Sequence, residues 1–254
     1  MLATLLTEEV FAFALVFVRL GAALMLLPTV GESAVPARVR LHFALAFTVV
    51  LTPLLAAGLP APPAGALALF VMVLGEAVIG LFIGASARVV MAALHVAGMA
   101  FAFHSGLAAA QMFDPNQAIQ TSVSGNFLNL LALMVIFVSD LHHLLLAGLV
   151  DSYAVFPVGS PWPAADGAEA LAHLVADTFR VGLQISAPIL VAGFLLYLGA
   201  GLLNRMMPQM MVFFVVLPVQ IVLAFAILTV SLAAALGWFA RFFDSSWLAL
   251  TSAA

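Results

Sequence analysis

The sequence predicts an all-α, polytopic integral membrane protein, with about six hydrophobic helices plus a re-entrant or broken helical segment. Three observations predict it. Hydrophobic residues make up 66% of the 254 residues, whereas Asp, Glu, Lys and Arg make up 7%. Ordinary soluble domains carry about 25% charged residues. Mean hydropathy is +1.26, and a soluble domain of this length has too few polar residues here to cover its surface. Several apolar stretches approach the ~20 residues needed to cross a bilayer.

The spanning candidates are 10–30, 41–59, 67–87, 123–150, 180–203 and 211–240. A further stretch, 89–110, is apolar but richer in Ala, Gly and His. The N-terminus, "MLATLLTEEV", is acidic and lacks the basic n-region of a secretory signal, so the first hydrophobic segment is expected to be retained as a membrane helix. "LPAPPAG" (59–65) is an uncharged turn. "FPVGSPWPAADG" (156–167) is a Pro/Gly-rich loop, with Trp162 as an expected interfacial anchor. A soft composition shift at 151–177 separates a longer part, 1–150, from a C-terminal helical hairpin, 178–254.

Charge orients the chain. All seven cations are arginines, and the net charge of -4 leaves no basic patch for nucleic acid. Arg38 with Arg40, Arg88 and Arg205 read as cytoplasmic loop features. All three fall on one side if 89–122 enters the membrane and returns, and the acidic loop with Asp151, Asp166, Glu169 and Asp177 then faces outward. Backbone that turns at membrane depth must be buried in protein or line a cavity. "GLAAAQMFDPNQAIQTS" (106–122) suits such a turn: Pro115 removes an N–H donor and pushes Asp114 out of helical geometry.

Few residues suggest chemistry. The chain has no cysteine, which excludes disulfides and Cys-metal centres. No Walker A, GxGxxG or HExxH occurs. "GESAV" (31–35) begins as a nucleophile elbow but ends in Val, and no cofactor is expected. Glu76 lies within a span beside Gly80 and Gly84, a small-xxx-small pattern that admits a close neighbour. Arg19 is also mid-span, and the two charges are expected to neutralise each other. In "SDLHH", Asp140 and His143 share a helix face, while His142 and His143 point about 100° apart, too divergent to hold a metal by themselves. "NRMMPQMMVFF" (204–214) reads as a helix start with Pro near its first turn, or as a deformable constriction.

That last segment carries a resemblance. "LLNRMMPQMMVFFVVLPVQIV" (202–222) resembles the signature of the FliR family of flagellar type III export-gate proteins, relatives of the SctT proteins of virulence secretion; the match falls on Asn204, Arg205, Pro208, Gln209, Phe213 and Pro218. "RLGAALMLLPTVGESAVPARVR" (19–40), "GEAVIGLFIG" (75–84), "FDPNQ" (113–117) and "HHLLLAGLVDSYAVFPVG" (142–159) resemble further family runs in the same order. The sequence departs from the pattern at Asp140-Leu141, where a Gly is expected, and at Gln220, where a basic residue is common.

The resemblance implies a FliP-like N-terminal part and a FliQ-like C-terminal hairpin. It implies assembly with FliP-like and FliQ-like subunits and an FlhB-like protein in the bacterial inner membrane, at the flagellar basal body. The hetero-oligomer would conduct unfolded export substrates, with no catalytic site of its own. Arg19, Glu76, Gly80, Gly84, Arg205, Pro208, Gln209 and Pro218 would serve packing and assembly. Phe101, Phe103, Met112, Phe113, Asp114, Pro115, Asn116 and Gln117 would narrow or plug the closed pore. The alternatives are a virulence-type gate subunit, a secondary transporter using Glu76, Asp140 and His143, and a membrane enzyme built on His104 and Ser105.

Overall fold

The computed structural model describes residues 2–106, 123–207, 209 and 212–251. The helices are α1 (Leu2–Leu26), α2 (Ala37–Leu55), α3 (Ala66–His104), α4 (Val123–Val138), α5 (Leu141–Val155), α6 (Ala164–Met206) and α7 (Val212–Thr251), with a 3-10 turn at Ala56–Gly58. No strand occurs among the described residues. Five of these helices are long and apolar enough to cross a membrane, or six spans if the bent pair α4–α5 counts as one.

On α1, Leu15, Val16, Arg19, Leu20, Ala23 and Leu24 are buried, a helical spacing that gives one packed face. The chain then turns at Gly31, whose amide donates to the Leu27 carbonyl at 2.8 Å. A Cβ there would lie 2.6 Å from the Met25 carbonyl oxygen, so only glycine fits. Pro36 caps α2 in extended geometry, φ -57° and ψ 140°. Past Pro53, α2 tightens into the 3-10 turn and gives way to the proline-rich linker.

Two sequence expectations change. The sequence divides 67–87 from 89–110 at Arg88, but α3 runs unbroken through 39 residues. No proline interrupts it. The Arg88 guanidinium is not a loop feature: its Nε donates to the Leu26 carbonyl at 2.7 Å and Nη2 to the Gly31 carbonyl at 2.8 Å. It thereby answers the Leu26 carbonyl at the C-terminal end of α1, where a cation is favoured, and the Gly31 carbonyl in the turn beyond it. Conversely, the stretch 123–150 is not one helix. α4 and α5 meet at a 76° bend. Asp140, at the break, has φ +57°, left-handed geometry that a helix interior does not accommodate. An observed break thus falls at 139–140, and the turn expected in 106–122 lies, from residue 107 on, outside the described residues.

The chain forms two compact units: Met1–Val90 with Asp140–Val175 and Asp244–Ala254, and Met91–Ser139 with Ala176–Phe243. The first has its core where α1 meets α3 and α5. Its α7 residues dock through Trp247, 1% exposed, whose indole N–H donates to the Leu144 carbonyl at 2.9 Å. Trp162 is half-buried. Its ring packs on Phe82 and Phe156, with centroids 4.9 and 5.1 Å away, and lies over Gly167. The second unit packs Phe101, Ile189 and Ala224 together. There α3 crosses α4 at Gly98 and Gly125, so closely that a Cβ on Gly98 would sit 2.5 Å from the Gly125 Cα.

Candidate functional site

The first unit holds a buried charge cluster. Arg19 on α1 and Glu76 on α3 are 0% and 1% exposed. Arg19 Nε donates to Glu76 Oε2 at 2.6 Å. Nη1 donates to the Ser152 carbonyl at 3.1 Å and lies 3.5 Å from Ser152 Oγ, and Nη2 donates to the Phe156 carbonyl at 2.8 Å. The guanidinium carbon also sits 4.1 Å from the Tyr153 ring centroid, a cation–π contact. Ser152 is in the last turn of α5 and Phe156 is its C-cap. The Ser152 carbonyl also accepts the Phe156 N–H at 2.9 Å, and both carbonyls stand at the end that carries the negative pole of the helix dipole. One guanidinium therefore neutralises a carboxylate and caps a helix, joining α1, α3 and α5. Arginine suits both roles, because its five donors fan out in a plane and it stays charged when buried.

Gly80 and Gly84 face α1 beside this cluster. A Cβ on Gly80 would collide with the Arg19 carbonyl, and one on Gly84 would lie 2.7 Å from the Ala23 carbonyl oxygen. The two glycines let α1 approach closely enough for the ion pair to close. Gly75 meets nothing within 4 Å and plays no part in that approach.

In the second unit the structure separates two residues that the sequence grouped together. Phe101 is 3% exposed and packs edge-on against Phe225, with ring centroids 5.6 Å apart. It is a core residue, not the exposed one the pore expectation called for. Phe103 is 67% exposed and remains available to a pore. Successive helix positions are about 100° apart, so residues two apart face nearly opposite directions. Just beyond, α3 ends with Gly106 at φ +76°. Gln220, 7% exposed, donates from Nε2 to the His104 carbonyl at 2.7 Å and to the Tyr197 hydroxyl at 2.9 Å.

Arg205, Gln209 and Pro218 are exposed and make none of these contacts. Pro208 and the candidates Met112, Phe113, Asp114, Pro115, Asn116 and Gln117 lie outside the described residues. At the α4–α5 break, Asp140, His142 and His143 bring one metal-type ligand atom each within 4.8 Å of one another. The adjacent imidazoles do not diverge as expected; their centroids are 4.0 Å apart. The His143 and Asp140 side chains are 71% and 78% exposed, which leaves them room to turn toward His142. Sequence reasoning missed Tyr153, Ser152 and Tyr197, and it met Gln220 only as a departure from the family pattern.

These features define an all-α polytopic membrane protein whose most deeply buried charges join its own helices. The chain belongs to the bacterial export proteins, family 1, whose family model matches residues 10–246. It is 36% identical over 235 residues to the flagellar biosynthetic protein FliR of Caulobacter vibrioides, covering 92% of this chain and 94% of that one. The FliR of Bacillus subtilis is 33% identical over 86% of this chain and 85% of its own. The Yop proteins translocation protein T of Yersinia pestis is 28% identical over 65% of this chain and 64% of its own.

Proposed function

We propose that the chain is a subunit of the flagellar type III protein export gate in the bacterial inner membrane. It forms part of a channel for unfolded export substrates, beside FliP-like and FliQ-like subunits and an FlhB-like protein. The residues 1–150 make its FliP-like part and 178–254 its FliQ-like hairpin. It supplies channel wall rather than catalysis.

One observation carries the reading: the exposed apolar surface is too long for lipid alone. At 1.5 Å per residue, α3, α6 and α7 have contour lengths of about 58, 65 and 60 Å. A hydrocarbon core is about 30 Å thick, and even a 40° tilt lengthens the crossing only to about 40 Å. Yet large apolar side chains are exposed from Leu67 to Phe103 on α3 and from Val215 to Leu248 on α7. The excess has to be covered by protein, which favours a multi-subunit assembly over a free-standing transporter. The flagellar system is favoured over the virulence type because the FliR relatives from Caulobacter and Bacillus match more of the chain, at higher identity.

Affinity purification from native membranes tests this. The chain should bring FliP-like and FliQ-like subunits with it, and its deletion should stop export of flagellar substrates. Recovery as a lone chain or homo-oligomer would overturn the proposal.

A further inference from the structure

We propose that Gln220 and Tyr197 are positioning residues that hold the last turn of α3 so that Phe103 keeps its place in the closed pore. The inference rests on the export-gate reading above and adds to it a named pair, distant in sequence, that acts through one ring.

The end of α3 is held on two sides. Behind it, Phe101 is buried against Phe225. At its tip, the carbonyl of His104, the last residue of α3, accepts a side-chain donor. Gln220 donates to it from Nε2 at 2.7 Å and gives its second N–H to the Tyr197 hydroxyl at 2.9 Å. Both donors of the amide are therefore engaged, which fixes its orientation. Gly193 completes the seat, since a Cβ there would collide with the His104 ring. Phe103 stands between these two anchors and is itself free of the core, 67% exposed. The backbone of that turn sets where the Phe103 Cα sits, and so the arc its exposed ring can reach. The turn is fixed by one amide from α7 and one phenol from α6.

A part-buried acceptor that loses its side-chain donor is disfavoured, so loss of the amide should loosen the turn. Gln220→Met keeps the length of the side chain and removes both donors. The variant is made in the full chain, co-expressed with its gate partners, and dye-reported monovalent-ion leak is read alongside partner recovery. Gln220→Met should raise the leak about tenfold, equivalent to ~1.4 kcal/mol on the open–closed balance, with partner recovery unchanged. Tyr197→Phe, which deletes only the hydroxyl, should raise it less. Phe103→Ala should leak by itself, and adding Gln220→Met to it should produce no further leak, because both act through one ring. Should Gln220→Met fail to assemble, Tyr197→Phe in assembled gates decides alone. A leaking Phe103→Ala beside tight Gln220→Met and Tyr197→Phe would overturn the proposal and leave the pore reading standing. So would additive leak in the double variant. A tight Phe103→Ala would remove Phe103 from the pore, and the proposal with it.

Discussion

Replacing Arg19 with Met should be among the most damaging single changes in the chain. Met fills similar space but supplies neither charge nor donor. Glu76, 1% exposed, would lose Arg19, its hydrogen-bond partner among the described residues. Breaking a buried pair by removing one member costs about 3–5 kcal/mol. The Phe156 carbonyl would also lose its 2.8 Å donor. For a chain of this size each kcal/mol corresponds to roughly 2–4 °C in melting temperature, so the loss should be about 6–20 °C. Glu76→Met should be milder, because Arg19 would keep the Ser152 and Phe156 carbonyls. The double variant should melt above Arg19→Met. It buries no unpaired charge, and its residual deficit of about 1–3 kcal/mol reflects the orphaned carbonyl. The assay is thermal unfolding of the detergent-solubilised gate for the parent, both singles and the double. The reasoning fails if Arg19→Met costs under about 1 kcal/mol, as an exposed pair would. It fails equally if the double variant loses the sum of the two singles.

Further outcomes follow from the same geometry. Gly80→Ala drives a Cβ into the Arg19 carbonyl and should destabilise by about 1–3 kcal/mol, while Gly75→Ala, in open space, should be neutral or gain up to about 1 kcal/mol from helix propensity. A paired melting measurement that ranks them the other way would refute the close α1–α3 contact. Arg88→Ala removes one donor from the end of α1 and one from the turn after it and should cost about 1–2 kcal/mol, read as lower melting temperature and faster protease cleavage after Leu26. Shortening 110–117 should make assembled gates leak ions while partner recovery persists; unchanged membrane conductance would sink the plug reading.

Hydropathy is a local property, and it determined the class of protein. Stretches of apolar residues with 7% charge specify helices in a membrane whatever they later touch. The sequence also brought Arg19 and Glu76 together, because two opposite charges stranded among apolar residues have few other ways to be neutralised. It could not supply the rest of that cluster. Every residue carries a carbonyl, so nothing in the letters marks Ser152 and Phe156 as the ones at a helix end 133 and 137 positions from Arg19. Arg88 misled for the same reason: a cation that reads as a loop residue answers carbonyls 62 and 57 positions away. Asp140 did not announce its left-handed backbone, and one expected span became two helices. Phe101 and Phe103 show the division most simply. The helical period requires them to face different ways. Which one enters the core and which stays exposed depends on where Ile189, Ala224 and Phe225 lie, and the tertiary structure alone decided that.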